Sequence, residues 1–380
     1  MNGNPELRIL RIGVVDWLLR HRGPGQHEVV RDLGKALGRV DYLVYSTRRA
    51  PWAATAITPY STVYPTRSLS KLHFFADAWR IGNKLQQEVG YSLITSADPM
   101  GAGLIGFWLS RRYSIPWLVT CHSDYFSTLE WRLESPRYWF DYYLSIYLLR
   151  RATLVHTVSH KVGQEVIRLG VAPDRVCALP NIRRTRIFGP GEMGLDRYRQ
   201  GKLIFAGRLA KEKGIATLLR AMRILLDAGY SLTLRLVGGG PQYRRLEALV
   251  DRLRLTPWVE FVDRVSPEEL VGLYQQSSML VLPSNREAFG WVLAEAGMCG
   301  LPVVASDVGG VREIVDQGET GLLVPPRDPQ KLAGAIARLL DDPALAMQMG
   351  ARAVGQRDRW EYTRLVEAHC ALLRRAAGKE

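Results

Sequence analysis

The sequence lacks the features that define several classes of protein. Its first residues show no basic segment followed by a long apolar run, and no stretch reaches the roughly 20 apolar residues that a membrane-spanning helix needs. The four cysteines lie far apart without a C-x-x-C pair, which argues against a metal cage or a disulfide framework. Low-complexity segments are missing as well. We therefore expect a globular protein, soluble or peripheral to a membrane, in a reducing cytoplasm.

The 380 residues are more than one ordinary core holds and favour two domains of similar size. The formal net charge of +14 is uneven, because residues 1–190 carry +11 and the remainder carries +3. Such a basic half is typical of proteins that meet nucleic acid, anionic lipid or a phosphorylated acceptor. Charge alone does not choose among these partners.

Short apolar runs alternate with helical patterns along the chain, which predicts parallel sheets built from βαβ units. Strands are predicted in the first half at residues 8–15, 40–46, 93–95, 117–120 and 154–158. The pattern stops between Pro180 and Lys202, where we place the interdomain linker. We expect an N-terminal domain at residues 1–185, a C-terminal domain at residues 200–359, and a last helix, about 360–380, that packs back on the first domain.

The second half repeats the alternation. Its predicted strands are KLIFAG, SLTLRLV, WVEFV, MLVLP and PVVAS, and helices are predicted from about Ile215 to Asp227 and from about Tyr243. Ser266 and Glu269 have the spacing of a capping box, with proline at the first helical position, so another helix should begin there.

Three loops of the second half combine glycine with charge. Ligands of open α/β sheets lie beyond the carboxyl ends of the strands, where such loops lead into helices. The loops cover residues 207–214, residues 238–241, and residues 284–295 together with Gly309 and Gly310. A dinucleotide-binding turn is disfavoured at residues 238–241, because the third glycine of G-x-G-x-x-G falls on Tyr243.

The third loop carries two carboxylates beside a predicted helix start. Backbone amides from Phe289 to Val292 would point beyond the preceding strand, and a helix N-terminus favours phosphate. Glu287 precedes the helix and Glu295 lies within it, so the two would address different parts of one ligand. This combination indicates a nucleotide sugar.

A departing diphosphate needs positive charge close to it. The chain contains no Asp-x-Asp motif to hold a metal ion, whereas Arg208 and Lys213 bracket the loop after KLIFAG. Arginine binds phosphate with a bidentate fork and lysine acts as a point charge. We expect these two cations to replace a metal, and we expect no other cofactor.

At this point the sequence resembles glycosyltransferase family 4. The segments GRLAKEKGIATLLRA, LVGGGP, EAFGWVLAEAGMCGLPVVASDVGGVREIV and GETGLLVPPRDP are similar to the donor half of that family, in the same order. The family's Glu-x7-Glu signature falls on Glu287 and Glu295. The first half resembles the family more loosely, through the glycine-rich loop at His21–Gly25 and through TCHSDY, which carries the family's donor-contacting histidine over to His122.

The resemblance implies a GT-B fold, in which two Rossmann-like domains face each other across a cleft. It also implies retention of anomeric configuration without a metal, by attack of the acceptor on the face of the leaving group. If the donor phosphate accepts the proton of the acceptor, no dedicated base is required, and the protein must stabilise the departing diphosphate. His122 is then a hydrogen-bonding partner of the sugar rather than a base.

The resemblance assigns a role to each candidate residue. Arg208, Lys213 and Glu295 would hold the diphosphate and ribose, and Glu287 with the backbone near Phe289 and Gly290 would hold the sugar. The catalytic residues expected are His122, Arg208, Lys213 and Glu287. The donor-binding residues expected are Gly23, Gly25, Gly207, Gly239, Phe289, Gly290, Trp291, Val292 and Glu295. The base would meet backbone near residues 261–265, which leaves UDP- and GDP-sugars both open.

The basic half suggests a membrane. In residues 66–84, Arg67 and Lys71 lie one helical turn apart, and so do Arg80 and Lys84. A neighbouring row of apolar and aromatic residues lies beside them, which suits an anionic interface. Residues 137–151 are apolar all round, and an ordinary buried helix explains them better. We expect a peripheral enzyme on the inner face of the cell membrane, with a lipid-linked or glycan acceptor in cell-envelope or polysaccharide synthesis.

Three alternatives stay open at the level of the sequence. They are a soluble transferase with a small-molecule acceptor, a sugar-nucleotide epimerase of the same fold, and a nucleic-acid-binding protein. The last has charge in its favour but no recognised nucleic-acid-binding motif, so we expect no nucleic acid partner.

Overall fold

The computed structural model describes residues 7–13, 27–50, 52–123, 132–133 and 135–379. These form two compact units, each built around a largely parallel sheet. Unit 1 comprises Met1–Arg183 with Thr363–Glu380, and unit 2 comprises Arg184–Tyr362. The predicted α/β class with two Rossmann-like sheets is confirmed. None of the described helices is long and apolar enough to span a bilayer.

The described part of unit 1 contains a sheet of eight strands in the order β3-β4-β2-β1-β5-β6-β7-β8. The strands are β1 (Leu7–Gly13), β2 (Gly38–Val44), β3 (Thr55–Thr58), β4 (Ser61–Pro65), β5 (Leu93–Ser96), β6 (Trp117–Cys121), β7 (Leu154–Thr157) and β8 (Val176–Ala178). All neighbours pair in parallel except β3 and β4. Strands β5, β6 and β7 are buried at every position, as expected when helices cover both faces of a parallel sheet.

Helices connect these strands. They are α1 (Glu28–Leu37), α2 (His73–Val89), α3 (Gly101–Tyr113), α4 (Pro136–Leu149) and α5 (His160–Arg168). The last helix, α13 (Tyr362–Ala376), supplies nearly all of its residues to unit 1. The guanidinium groups of Arg374 and Arg375 donate hydrogen bonds to the backbone oxygens of Ala36 and Asp174, at 2.9 Å and 2.6 Å.

Helix α2 begins later than the charge pattern predicts. Arg67 has φ of 51° and follows Thr66, whose amide continues the pairing of β4 by donating to the oxygen of Val44 at 2.9 Å. The helix starts only at His73, so Arg67 and Lys71 do not share a helical face with Arg80. The predicted face of four cations is therefore wrong, because sheet pairing holds the chain extended where the spacing favoured a helix.

The cations of α2 itself have acidic neighbours. The guanidinium of Arg80 lies 3.7 Å from Asp77, and the ammonium of Lys84 lies 3.7 Å from Glu88. Trp79 is half-buried and packs edge-on against Trp108, with ring centroids 6.1 Å apart.

Helix α4 also differs from its prediction. We expected residues 137–151 to be buried all round, yet Phe140, Tyr143 and Tyr147 are exposed. Only Ser145, Leu148 and Leu149 of this helix are buried. Periodicity alone could not identify the outer face, because both faces are rich in apolar residues.

Unit 2 contains a parallel sheet of six described strands in the order β11-β10-β9-β12-β13-β14. The strands are β9 (Lys202–Ala206), β10 (Thr233–Val237), β11 (Val259–Val262), β12 (Met279–Leu282), β13 (Val303–Ser306) and β14 (Gly321–Val324). The helices are α6 (Leu195–Arg199), α7 (Ile215–Asp227), α8 (Tyr243–Arg252), α9 (Pro267–Gln275), α10 (Trp291–Met298), α11 (Pro329–Asp341) and α12 (Pro343–Gly355). The first strand of the unit, β9, lies between β10 and β12, so loops from both halves of the sheet meet above it.

The capping box predicted at Ser266 is confirmed. The Ser266 hydroxyl accepts a hydrogen bond from the amide of Glu269 at 3.1 Å, and the Glu269 carboxylate accepts one from the amide of Ser266 at 2.7 Å. This exchange satisfies two amides at the start of α9 and lowers the pKa of the Glu269 carboxyl.

Residues 184–200, which the sequence assigns to the linker, belong to unit 2. The buried guanidinium of Arg197 donates to the backbone oxygens of Ser277 at 2.9 Å and Tyr274 at 2.8 Å. Tyr198 is fully buried, and its hydroxyl donates to the oxygen of Gly300 at 2.9 Å. The irregular sequence here did not predict the short helix α6. This helix is held by hydrogen bonds from its side chains rather than by a periodic row of apolar residues.

Candidate functional site

The loops after β9 and β10 are joined by backbone hydrogen bonds at the carboxyl edge of the sheet of unit 2. The amide of Gly207 donates to the oxygen of Val237 at 3.0 Å, and the amide of Leu209 donates to the oxygen of Gly239 at 3.1 Å. The oxygen of Leu209 accepts from the amide of Gln242 at 2.9 Å. The structure thus brings the predicted residues Gly207 and Gly239 together.

Steric crowding explains why glycine occupies two positions of these loops. Gly238 has φ of 129°, and a Cβ there would lie 2.1 Å from the oxygen of Gly207. A Cβ on Gly240 would lie 2.3 Å from the oxygen of Leu209. Both contacts are far shorter than van der Waals distance, so the glycine run is explained by the close approach of two loops.

Lys213 and Glu287 form an ion pair at the same edge. The Lys213 ammonium lies 2.5 Å from Oε2 of Glu287, and the two side chains are only 21% and 12% exposed. The Ser284 hydroxyl donates to the same carboxylate oxygen at 3.3 Å. The pairing follows from topology, since β9 and β12 are neighbours and each residue lies in the loop that follows its strand.

Backbone contacts fix the two loops against each other. The amide of Asn285 donates to the oxygen of Glu212 at 2.7 Å, and its side-chain amide donates to the oxygen of Lys211 at 3.1 Å. Gly214 has φ of 62°, and a Cβ there would lie 2.0 Å from the oxygen of Pro283. The short turn that carries Lys213 is therefore held rigidly beside the loop that carries Glu287.

A second glycine turn supports Glu287 from the other side. The amide of Gly310 donates to the backbone oxygen of Glu287 at 3.2 Å. Gly309 has φ of 54°, and a Cβ there would lie 1.6 Å from the same oxygen. The Gly309-Gly310 pair therefore sets the backbone position of Glu287.

Helix α10 begins directly after Gly290, which has φ of 98°. Glu295 lies within the helix and is 8% exposed. Phe289 and Trp291 are buried and pack against each other and against Trp360, with ring centroids 5.1 to 5.8 Å apart. The aromatic side chains therefore belong to the core, and only backbone at these two positions is available to a ligand.

The remaining predicted residues of unit 2 lie close in sequence to this group. Arg208 is exposed in the loop that follows β9, and Val292 is half-buried in the first turn of α10. An exposed guanidinium on a fixed loop is free to reorient, whereas the partly buried Lys213 ammonium is held by its ion pair with Glu287.

His122 lies in unit 1, directly after β6. Its Nδ1 lies 3.1 Å from the side-chain amide nitrogen of Asn181. The residue is exposed at the surface, but nearby protein atoms desolvate the imidazole and, with the Arg11 cation, lower its pKa. The ring is therefore neutral at pH 7, and a hydrogen bond from Asn181 to Nδ1 leaves the proton on Nε2. Gly23 and Gly25, the other predicted residues of this unit, lie outside the described residues.

Sequence reasoning missed several residues of these clusters. Ser284 and Asn181 each contact a predicted residue, at Glu287 and His122 respectively. Ser284 lay within a loop already singled out, but its contact depends on a side-chain rotamer. Asn181 follows the proline of LPN some 59 residues after His122, and no local pattern links two strand ends at that separation.

Comparisons with known proteins match both halves of the chain. A family model described as Glycosyltransferase Family 4 matches residues 25–184, and one described as Glycosyl transferases group 1 matches residues 197–355. The D-inositol 3-phosphate glycosyltransferase of Acidothermus cellulolyticus is 38% identical over 227 residues, which make up 55% of this chain and 50% of that relative. The chain spans about half the length of the curated relatives it matches.

Two solved structures resemble nearly the whole chain. Sucrose-phosphate synthase from Thermosynechococcus elongatus matches with a TM-score of 0.83 and 25% identity, covering 98% of this chain and 100% of its own. HepE from Anabaena, solved with UDP-glucose, matches with a TM-score of 0.74 and 21% identity, covering 97% of this chain and 99% of its own, a likeness that shows the fold. Family models over both sheets, together with these structures, confirm the resemblance seen in the motifs: the chain belongs to glycosyltransferase family 4 and has the GT-B fold.

Proposed function

We propose that the protein transfers a hexose-type sugar from a nucleotide-diphosphate sugar to an acceptor, with retention of anomeric configuration and without a metal ion. The observation that carries the proposal is the rigid pairing of Lys213 with Glu287 beside the start of α10, with Glu295 buried in that helix. This grouping combines a cation for a diphosphate with carboxylates for hydroxyl groups. The chain's membership of family 4 supports the same activity.

We favour UDP over GDP as the nucleotide of the donor. The structure of HepE was solved with UDP-glucose, and this chain matches it along almost its full length. The proposed roles follow the chemistry of the side chains. Lys213 and Arg208 neutralise the departing diphosphate, Glu295 accepts hydrogen bonds from ribose hydroxyls, and Glu287 accepts them from the sugar.

The ion pair of Lys213 and Glu287 suits such a donor. The carboxylate compensates the partly buried ammonium, so their attraction offsets the desolvation cost of holding the positive charge in place. When a diphosphate arrives, it offers the ammonium a second anion, and Glu287 can turn its other lone pairs to the sugar. The positive charge is then already in position when negative charge develops on the leaving group.

His122 is proposed to donate a hydrogen bond to the sugar. Its neutral ring, with the proton on Nε2, fits a donor better than it fits a general acid at pH 7. The proton of the acceptor passes to the donor phosphate itself, so the chain needs no separate base. Gly23 and Gly25 remain part of the proposed donor contacts on the strength of the family pattern.

The acceptor we propose is a lipid-linked or growing glycan at a membrane, in cell-envelope or polysaccharide synthesis. The enzyme would then be cytoplasmic and peripheral on the inner face of the cell membrane. The support is the charge of +11 in residues 1–190, since anionic surfaces attract such a half.

A small phosphorylated acceptor is the second candidate. The observation in its favour is that one relative is named for inositol 3-phosphate and one solved neighbour is a sucrose-phosphate synthase. The same basic half would attract a free phosphorylated acceptor as well as a membrane.

A donor screen tests the proposal. We expect UDP and one UDP-sugar to raise the melting temperature in a panel of nucleotides and nucleotide sugars, because selective binding stabilises the native state by mass action.

Transfer from that sugar should persist in EDTA and yield the same anomer as the donor. Loss of transfer in EDTA with recovery in Mg²⁺ would contradict metal independence, and release of a free or epimerised sugar without acceptor would favour an epimerase. Absence of any nucleotide effect would reject the proposed donor site.

A further inference from the structure

An exposed row of aromatic side chains runs along helix α4. Phe140 is 67% exposed, Tyr143 is 61% exposed and Tyr147 is 45% exposed. The spacing of three and four residues places them on one face, opposite the buried Ser145 and Leu149 and close in line with one another. We call Phe140, Tyr143 and Tyr147 the aromatic stripe. None of the residues to which we assign donor binding belongs to it.

Exposed phenylalanine on a helix is unfavourable in water. A side chain of this size would normally be buried, and three large rings in one row form a patch rather than scattered surface residues. Leu133, just before the helix in the described chain, adds another apolar side chain that is 67% exposed. A contiguous apolar patch with a polar rim is typical of a surface that meets a partner or a membrane.

Cations flank the stripe at both ends. Arg137 lies one turn before Phe140 and Asp141, and its side chain is 72% exposed. The guanidinium of Arg151 lies 3.6 Å from the centre of the Tyr147 ring, so a positive charge sits directly on the stripe. Asp141 is the acidic residue of this helix, and it pairs with Arg137 at 3.4 Å. Of these three described charges, the two cations outnumber the carboxylate, which leaves the described part of this surface net positive.

The chemistry of this surface matches one kind of partner. Tyrosine combines an apolar ring with a polar hydroxyl and is enriched where hydrocarbon meets water, while arginine extends toward anionic headgroups. Aromatic rings alone would suit a protein groove, but rings with an exposed arginine at each end, Arg137 and Arg151, suit an anionic lipid interface. The Phe and Trp side chains of α2 are buried or half-buried, so that helix offers no comparable surface.

We propose that the aromatic stripe docks unit 1 onto an anionic lipid bilayer, with Phe140 and Tyr143 inserted at the headgroup level and Arg137 and Arg151 on the anionic headgroups. This deepens the proposed function by assigning the membrane contact to a specific face, and it rests on that function for its biological purpose. It also replaces Arg67, Lys71, Arg80 and Lys84 as the docking surface.

Co-sedimentation with vesicles tests the docking. The probe is a vesicle of phosphatidylcholine with phosphatidylglycerol, compared with pure phosphatidylcholine, at low and high salt. We expect the parent to bind the anionic vesicles and to leave them as salt rises. The double variant Phe140→Ser with Tyr143→Ser should lose about tenfold in vesicle affinity, because two interfacial rings are removed.

The matched control is Leu69→Ser with Leu72→Ser. These leucines are 57% and 81% exposed, also in unit 1, and their removal should leave vesicle binding unchanged. Charge reversal by Arg137→Glu with Arg151→Glu should abolish the preference for anionic vesicles. UDP-induced stabilisation, measured on every sample, should match the parent throughout, which shows that each variant is folded.

Other outcomes separate this proposal from the proposed function. A parent that ignores anionic vesicles at low salt, or a stripe variant that binds as the parent does, overturns the docking surface alone. A parent that dimerises in sedimentation velocity, with the dimer lost in the stripe variant, shows that the stripe joins two copies and also overturns the proposal. Intact vesicle binding without any response to nucleotides would instead reject the donor chemistry and leave the docking surface standing.

Discussion

The Lys213–Glu287 ion pair couples the two charges that the donor is proposed to use. Because both side chains are mostly buried, removing one partner leaves the other with an uncompensated charge. An alanine at position 287 would therefore change the state of Lys213 as well as removing a contact to the sugar. Glutamine at position 287 also removes the charge, but it keeps an oxygen that can accept a hydrogen bond from the Lys213 ammonium, so it disturbs that group less than alanine does.

Glu287→Gln is expected to impair transfer while sparing nucleotide binding. The amide keeps the shape of the side chain, and the freed ammonium of Lys213 remains available to the diphosphate. Loss of one aligned acceptor at the sugar should lower kcat by roughly 100-fold. UDP affinity, measured by calorimetry, should be unchanged or tighter. Glu212→Gln is the matched control, since Glu212 lies in the same turn and contacts the neighbouring loop through its backbone oxygen.

The second carboxylate gives the opposite outcome in the same assays. Glu295→Ala should weaken UDP binding by about tenfold, the value of a hydrogen bond to a charged group. If both glutamate variants bind UDP and turn over like the parent, the donor site has been assigned to the wrong residues.

Sequence reasoning at the residue scale succeeded where chemistry is local to a loop. Lys213 and Glu287 were singled out independently, and the structure brings them into contact because their strands are neighbours. Phe289 and Trp291 were singled out for their backbone, and their side chains turn out to pack against Trp360. That packing partner is distant in sequence, so no local pattern could reveal it.

At the scale of elements, glycine turns decide how closely the loops of unit 2 approach one another. Gly309→Ala should lower the stability of the protein by about 2 kcal/mol or more, because a Cβ would collide with the backbone oxygen of Glu287 in addition to straining a φ of 54°. Gly318→Ala is the control, since Gly318 has φ of 80° with open space around it and should lose only about 1 kcal/mol. Thermal and urea unfolding compare the two. Equal losses would mean that the close approach of the turn to Glu287 is not required.

Several of the strands that were predicted correctly share one property. Strands such as β6, β7 and β12 are short apolar runs buried on both faces, and a parallel sheet demands that composition. Strands β3, β4, β8 and β14 were missed, and of these β3, β4 and β8 are only partly buried. The start of α2 was misplaced because backbone pairing of residues 66–68 with residues 44–47 overrides a helical spacing of charge.

At the scale of the whole molecule, the tail of the chain returns to a unit formed more than 200 residues earlier. Helix α13 places His369 against His156 of β7, with ring centroids 5.4 Å apart. Nε2 of His156 donates to the backbone oxygen of Leu179 at 2.7 Å, and Nδ1 of His369 donates to the oxygen of Leu365 at 2.8 Å. Each hydrogen bond fixes which ring nitrogen carries the proton, and burial in the core of unit 1 keeps both rings neutral.

This pair should make the attachment of the tail sensitive to acid. Burial lowers the pKa of His156 to about 3 and that of His369 to about 4, whereas both have ordinary values near 6.5 when the chain is unfolded. Between these values the unfolded chain binds more protons than the folded one, so stability is complete above pH 6.5 and falls as the pH drops toward 4. Each histidine should contribute about 1.4 kcal/mol of loss per pH unit in that window.

Unfolding in urea at pH 7, 6 and 5 should therefore show a shallower decline for His369→Gln than for the parent, even though the variant starts from lower stability. His73→Gln, which changes an exposed histidine bonded to Ser70, should decline as the parent does. A parent whose stability is constant from pH 7 to 5 would mean that the two rings remain accessible to protons in the folded chain.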